Sequence, residues 1–269
     1  MTASAILLLF FAMCGGILAG IINTLAGSGS LVTLPILSLL GLSSPVANAT
    51  NRVGVVVQCV VASASFRRQG LLPFYPATWL WLLPTICGSI LGAWLAVDIP
   101  ERALDLALCV IMAAMLVVTL RNKKQFARGT PSEDDDEEKE PLPPFAHPPS
   151  WKLLITLFLV GIYGGFIQAG VGVMLLLVLV TGARIMLPLA NGLKMLIALG
   201  LASVALVIFL WHGMIDWQFG LLMALGQSIG AWLGVRFLSN VPSASLWVRR
   251  LLILILAYGI VHYGFQLMN

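Results

Sequence analysis

Two basic residues, Arg52 and Lys194, lie a few residues inside apolar segments of the sequence. If those segments cross a membrane, each charge is costly to bury, and such residues are usually functional. The acidic residues all fall near predicted helix ends or in one central acidic segment, so neither basic residue has an acid beside it in the apolar core. A cavity that contains only positive charge selects anions. The two residues therefore predict a binding site for a small anion.

A stripe of polar side chains accompanies the first of these charges. Asn48, Asn51, Arg52 and Gln58 recur at helical spacing, so they share one face of a helix. We expect that helix to begin at Ser44 as its cap, with a proline in the first turn. One polar stripe on one face predicts one polar cavity.

A glycine- and serine-rich turn, Gly27-Ser28-Gly29-Ser30, precedes a short apolar run. Backbone N–H groups at the start of a helix can hold an anion, and two serine hydroxyls lie beside them. The second half of the chain has glycines and amides in comparable places. The predicted substrate-binding residues are Asn23, Ser28, Ser30, Asn48, Asn51, Arg52, Gln168, Asn191 and Lys194.

Structural interpretations compete with each of these assignments. Arg52 and Lys194 can extend along a helix to the membrane interface. The asparagines can cap helices or join them by hydrogen bonds, and the glycine turns can serve close packing. Two Gly-x-x-x-Gly segments, at Gly88 and Gly226, indicate helix packing inside the protein rather than a dimer surface. The lone histidines His212 and His262 fit interfacial positions better than proton relays.

Composition indicates what must position these residues. Of 269 residues, 59% are apolar and only 10% charged, which excludes a water-soluble fold. At about 20 residues per crossing there is room for roughly eight to ten membrane segments. The four cysteines lie in apolar runs without metal-ligand spacing and fit a packing role. We therefore expect the lipid bilayer as a partner, with no metal, cofactor or nucleic acid.

The apolar runs form two similar series separated by an acidic, proline-rich segment. We expect a first membrane repeat at residues 1–121, a solvated linker at 122–150 and a second repeat at 151–269. The start of the chain is uncharged, as expected of a retained membrane segment. Three pairs of matching motifs indicate an internal duplication: Gly27-Ser28-Gly29 with Gly170-Val171-Gly172, Pro45-Val46-Ala47-Asn48 with Pro188-Leu189-Ala190-Asn191, and Gly92-Ala93-Trp94-Leu95 with Gly230-Ala231-Trp232-Leu233.

The positive charges indicate how the two halves are oriented. Basic residues concentrate on the cytoplasmic side of membrane proteins. An arrangement with inverted halves and both termini outside places twelve of the fifteen Lys and Arg residues, and the acidic linker, in the cytoplasm. Those twelve are Arg67, Arg68, Arg121, Lys123, Lys124, Arg128, Lys139, Lys152, Arg184, Arg236, Arg249 and Arg250.

Inversion requires the first long run and the short run of each half to return to the side where they began. A ten-residue helix reaches only about 15 Å, so the short run makes no ordinary crossing. Interrupted helices at matching places in inverted halves mark the binding sites of many transporters. The predicted fold is an all-α polytopic membrane protein of two inverted repeats, each a broken-helix hairpin plus three transmembrane helices.

Several of these motifs resemble the TauE/SafE family of sulfite exporters, over nearly the whole chain apart from the linker. The resemblance implies transport of sulfite or related sulfur-containing anions, including sulfonates, across a bacterial inner membrane. Serines in the first turn and valines at Val171 and Val173 in the second depart from the family pattern and leave the anion open. The matching segments are Gly20-Ile21-Ile22-Asn23-Thr24-Leu25-Ala26-Gly27-Ser28-Gly29-Ser30-Leu31, Ala47-Asn48-Ala49-Thr50-Asn51-Arg52, Ala190-Asn191-Gly192 with Lys194, and Gly230-Ala231-Trp232-Leu233-Gly234.

The first functional hypothesis is a secondary transporter that exports a small sulfur-containing oxyanion by rocking two inverted bundles. A passive anion channel is the alternative. An intramembrane hydrolase with Ser28 as nucleophile and a histidine base is a weaker one, because no acid is placed to orient the base. The sequence leaves the direction, the coupling ion and the oligomeric state open.

Topology can be tested with single cysteines in a cysteine-free background. A cysteine at Ser132, in the linker, and one at Gly213, in a predicted outside loop, should react with a membrane-impermeant thiol reagent from opposite sides. Reaction of both from the same side would refute the inverted arrangement.

Overall fold

The computed structural model describes residues 3–72, 78–121, 149–238 and 244–268. Most of the predicted linker, residues 122–148, lies outside the described residues, as does Ser132. The described part contains ten α-helices: α1 Ala3–Ala26, α2 Ser30–Leu39, α3 Ser44–Arg68, α4 Trp79–Val97, α5 Glu101–Arg121, α6 Trp151–Phe166, α7 Val171–Leu177, α8 Leu187–Trp211, α9 Trp217–Leu238 and α10 Ala244–Met268.

The chain is an all-α polytopic membrane protein, as its composition predicts. Seven of the described helices are long and apolar enough to cross a membrane, namely all except α2, α6 and α7. Every predicted apolar run corresponds to a helix. A π-helical turn, Val178–Gly182, extends α7.

The start of α3 differs from the expectation in one detail. Ser43 is the capping position and Ser44 is the first helical residue, with the proline just inside the helix. The extended backbone of Ser43 suits a residue that precedes a helix. Ser44 instead donates its hydroxyl hydrogen to Asp105 of α5.

Each half begins with a long helix that breaks before a short one. Helix α1 ends at Ala26 and is followed by Gly27, whose φ of 72° is readily adopted only by glycine. Helix α6 ends at Phe166, and the chain reaches α7 through an extended segment and Gly170, with φ 76°. The two breaks abut, because a Cβ on Gly27 would collide with the backbone of Gly172. The predicted hairpins therefore meet in the interior.

The two halves pack together through close contacts between helices of opposite halves. Helix α1 packs on α9 of the other half, and α4 packs on α6 in the matching way. Both contacts are made by facing glycines, which have no side chain and so let the two backbones touch. The two Gly-x-x-x-Gly segments were predicted to pack helices inside the protein in this way. The facing pairs are Gly16 and Gly20 with Gly226 and Gly230, and Gly161 and Gly165 with Gly88 and Gly92.

The order of contacts gives the helix directions. Residue numbers at the contacts increase together along α1 and α9, and along α4 and α6, so each of these pairs is parallel. Along α3 and α8 the numbers rise in one helix as they fall in the other, so this pair is antiparallel. Since α3 and α8 occupy matching places, these directions favour the inverted arrangement, which stays a prediction. The contact pairs are Gly16 with Gly226 and Thr24 with Gly234, Thr85 with Gly161 and Ser89 with Gly165, and Arg52 with Phe209 and Leu71 with Gly192.

The glycine contacts can be tested by adding a single methyl group. Gly92→Ala places a Cβ against the Ile162 carbonyl of α6 and should destabilise the protein by about 1–3 kcal/mol. Gly264→Ala is the matched control, because a Cβ there meets no atom within 4 Å. Thermal unfolding in detergent should show a lower midpoint for the first variant only. Equal midpoints would contradict the described α4–α6 contact.

Candidate functional site

Lys194 is buried in the interior of the bundle. It lies about 10 Å along α8 from the first residue of that helix and is only 1% exposed. Its ammonium group donates to the Asn23 carbonyl at 3.3 Å, to the Thr24 carbonyl at 3.2 Å and to Asn191 Oδ1 at 2.9 Å. All three ammonium hydrogens thus have partners, and two of those partners are carbonyls in the last turn of α1.

Arg52 is buried in the same manner near the other broken helix. It lies about 12 Å along α3 and has no exposed surface. Nη1 donates to the Gly164 carbonyl and to Gln168 Oε1, both at 2.6 Å, and Nη2 donates to the Gly165 carbonyl at 3.0 Å. The guanidinium group also lies 5.6 Å from the centre of the Phe209 ring.

The two cations therefore play matching roles. Each comes from the third helix of one half and binds carbonyls at the carboxyl end of the broken helix of the other half. The last carbonyls of a helix have no partners within it and carry partial negative charge, so they stabilise a buried cation that contacts no acid among the described residues. Both basic side chains are buried, so neither side chain extends to the protein surface.

A small cavity lies where the two broken hairpins meet. Three predicted site residues, Asn23, Gln168 and Lys194, line it together with apolar and glycine residues. Its volume is about 10 Å³, roughly what one water molecule requires. We call it the central cavity; it is lined by Asn23, Gln168, Val171, Gly172, Lys194, Met195 and Ala198.

Two residues with amide side chains, Gln168 and Asn23, line the central cavity, and one of them is bonded to Arg52. Gln168 accepts a hydrogen bond from Arg52, and its side chain lines the cavity beside Lys194. Asn23 Oδ1 accepts a 3.4 Å hydrogen bond from the Gly29 amide in the turn before α2. The cavity is thus bordered by a cation and two amides, and it is too small in this conformation for a four-atom oxyanion.

Asn51 lies in a separate polar network. Its Oδ1 accepts from Thr33 Oγ1 at 2.7 Å and from Gln227 Nε2 at 3.3 Å, and its Nδ2 donates to Ser30 Oγ at 3.0 Å. These bonds join α2, α3 and α9. Asn51 and Ser30 are therefore brought together, as predicted, but they do not line the central cavity.

The remaining predicted residues also have defined positions. Asn48 Nδ2 donates to the Phe166 carbonyl at 2.8 Å, at the end of α6. Asn191 Nδ2 donates to the Leu187 carbonyl at 3.1 Å while its oxygen holds Lys194. The Ser28 hydroxyl donates to the Ala26 carbonyl at 3.4 Å. In the described part of the chain, His212 forms a hydrogen bond with the Ile208 carbonyl and His262 forms one with the Ser38 hydroxyl. Neither histidine is placed as a base for Ser28.

Some buried polar atoms lack partners among the described residues. They include Arg52 Nε, Asn48 Oδ1 and both polar atoms of the Gln58 side chain. Buried donors and acceptors are nearly always satisfied, by water where not by protein. All three residues belong to the polar stripe of α3, so this face has hydrogen-bonding capacity to offer a ligand or water.

Sequence reasoning missed two members of the interior network, Thr33 and Gln227. Gln227 could have been found, because a buried amide within an apolar membrane helix is costly and marks a polar contact. Thr24 contributes its backbone carbonyl to Lys194, and no side-chain pattern reveals such a contribution. A larger groove, about 560 Å³ and lined by residues such as Leu91 and Trp94, contains none of the predicted site residues.

Comparison with known proteins identifies relatives over most of the chain. The profile of the family described as Sulfite exporter TauE/SafE matches residues 12–263. A probable membrane transporter protein of Haemophilus influenzae is 31% identical over 85% of this chain and 84% of its own length. The probable membrane transporter protein ORF9 of a Sinorhizobium species is 27% identical over 86% and 83%. The probable membrane transporter protein YfcA of Escherichia coli K12 is 29% identical over 81% and 76%. No solved structure matches significantly.

The bonds made by Arg52 predict a measurable effect on stability. Arg52→Met leaves three buried acceptors without a donor, at about 1–3 kcal/mol each, and should lower the thermal midpoint in detergent substantially. Arg102→Met, at an exposed position of α5, should leave it unchanged. An unchanged midpoint for both variants would mean that Arg52 does not hold the end of α6.

Proposed function

Because the chain belongs to the sulfite exporter TauE/SafE family, we propose that it is a secondary transporter that exports a small sulfur-containing oxyanion, such as sulfite or an organosulfonate. The observation that carries the proposal is the buried Lys194 ammonium group, which lines the central cavity with two amides where the broken hairpins meet. The relatives described above are probable membrane transporter proteins, which agrees with the transport part of the proposal.

Electrostatics favours an anion in the central cavity. Lys194 brings a basic side chain, Arg52 lies one amide away through Gln168, and the cavity is lined by no carboxylate among the described residues. In a low-dielectric interior such a site excludes cations and stabilises a negative charge. The two backbone bonds of Lys194, at 3.2 and 3.3 Å, are at the long end for hydrogen bonds, so they are the bonds that an oxyanion would compete with for the ammonium group.

Amides give the site its preference for an oxyanion. Asn23 and Gln168 each carry an NH₂ group with two donors, and oxygens of sulfite or a sulfonate accept several hydrogen bonds at once. Gln168 presents its oxygen to Arg52, so its nitrogen remains for a ligand. A halide lacks the spread of acceptors that would engage an ammonium and two amides together.

Alternating access follows from the arrangement of the halves. We propose that they are inverted repeats that rock about the contact between Gly27 and Gly172. The exchanged packing of α1 on α9 and of α4 on α6 supports this, because it builds two mixed bundles that can move as bodies. The closed cavity favours a carrier over a passive channel. In a bacterial inner membrane, the termini would lie outside and the linker in the cytoplasm.

Flux in proteoliposomes tests the proposal. Purified protein should catalyse saturable uptake of labelled sulfite, and accelerated exchange against unlabelled sulfite would identify a carrier. Lys194→Gln should reduce the rate at limiting substrate by about tenfold or more, since a charge-assisted hydrogen bond is worth about 1.5–3 kcal/mol. Lys152→Gln, at an exposed position on α6, is the matched control.

A second variant separates loss of binding from loss of folding. Asn23→Asp keeps the side-chain shape but adds a negative charge to the central cavity, so it should also abolish flux in protein that remains folded by size exclusion. Flux in either variant equal to that of Lys152→Gln would contradict the anion site. No flux of sulfite or of any tested sulfonate by folded, unmodified protein would contradict the transport function.

A further inference from the structure

A second group of titratable side chains lies away from the central cavity, at the loop between α2 and α3. Asp105 of α5 is 3% exposed. Among the described residues only Ser44 hydrogen-bonds to its carboxylate. The Ser44 backbone N–H also donates to Glu101 Oε1 at 3.3 Å. Two acids of α5 therefore hold the first residue of α3.

His262 of α10 holds the other end of the same loop. Its Nε2 lies 3.0 Å from Ser38 Oγ, and Gln266 Nε2 donates to that hydroxyl at 3.2 Å. Ser38 is the penultimate residue of α2. Helices α5 and α10 pack against each other here, and Cys109, one turn after Asp105, donates its thiol hydrogen to the Ile260 carbonyl at 3.8 Å, two residues before His262. The loop at residues 40–43 is thus held at one end by Asp105 through Ser44 and at the other by His262 through Ser38.

The surroundings of this pair are tightly defined. The groups facing it are Glu101 from α5 and, from α10, Tyr258 and Tyr263, whose rings lie 5.8 and 5.3 Å from the His262 ring. Tyr263 is fully buried, and its hydroxyl has no partner among the described residues. Buried hydroxyls are nearly always satisfied, by protein or by water, so the Tyr263 hydroxyl has a hydrogen bond to offer in this region.

We propose that Asp105 and His262 form a proton-binding site that couples proton movement to the transport of the anion. The inference rests on the proposed function, because a coupling site requires a transported substrate. It assigns to these residues a role separate from that of the central cavity, where Lys194 is held by carbonyls.

The coupling follows from what the pair holds. Helix α2 is the return arm of the first hairpin, and α3 carries Asn48, Asn51 and Arg52. The proposal requires that Ser44 and Ser38 move away from Asp105 and His262 when the hairpin and α3 move to open the central cavity. A buried carboxylate that loses its donor is costly and binds a proton instead. Proton binding therefore favours the open arrangement, and by linkage opening favours proton binding.

Transport under a pH gradient tests the proposal. Methanesulfonate is a suitable probe, because its charge is constant over the working pH range. An imposed pH gradient should change its net flux several-fold in the unmodified protein. Asp105→Asn should abolish that response and retain exchange at equal pH, because exchange requires no net proton movement. The control Asp98→Asn, an exposed acid at the end of α4, should keep both activities. A gradient response in Asp105→Asn equal to that of the control would overturn the proposal.

A second measurement does not depend on transport. With His147→Gln and His212→Gln, His262 is the remaining histidine of the chain, and its imidazole can be titrated by nuclear magnetic resonance in labelled protein. Adding Asp105→Asn should move its titration midpoint by half a pH unit or more, whereas Asp98→Asn should not. An unmoved midpoint would overturn the proton site. A moved midpoint in protein that transports no sulfonate would refute the proposed substrate and leave the paired proton site intact.

Discussion

The structure depends on two buried cations, which donate the hydrogen bonds that the next turn of each broken helix would otherwise donate to its last carbonyls. Each broken helix ends inside the protein, where its last carbonyls would otherwise lack partners, and a basic side chain from the opposite half supplies the hydrogen bonds. Lys194 holds the end of α1 and Arg52 holds the end of α6. The same contacts stabilise a buried cation that touches no acid among the described residues, since the helix ends bring partial negative charge. The two side chains that hold the helix ends are therefore also the ones to which we assign a role in anion binding.

Close packing at glycines brings the ends of the broken helices within reach of the buried cations. The carboxyl ends of the broken helices approach cations of the other half only because α1 and α6 lie directly against α9 and α4, backbone to backbone. Gly27 and Gly172 allow the hairpin turns to touch at the centre. Lipid offers no hydrophobic driving force between helices, so extensive contact of this kind supplies much of the attraction between the halves. It also builds each bundle from both halves.

The helices and the buried charges could be predicted from the sequence, whereas the partners of those charges could not. Apolar runs located every described helix, and the rarity of buried charge singled out Arg52 and Lys194 correctly as interior residues. Their partners could not be predicted, because backbone carbonyls at a helix end are the same in every sequence. The contacts of Asp105 with Ser44 and of His262 with Ser38 were missed for another reason: the partners lie far apart in the chain, on helices that no periodicity brings together. The cap of α3 differed by one residue, between two adjacent serines that are both good capping residues.

The central claim is that an oxyanion binds between the two hairpins beside Lys194, and the most direct test is to locate one. Crystals of the protein grown with selenite, a heavier analogue of sulfite, would report the position of selenium by anomalous scattering. We expect a peak within hydrogen-bonding reach of Lys194 Nζ and the amides of Asn23 and Gln168, in a cavity larger than the closed central cavity. An ordered peak elsewhere in the membrane interior, with this cavity still closed, would contradict it.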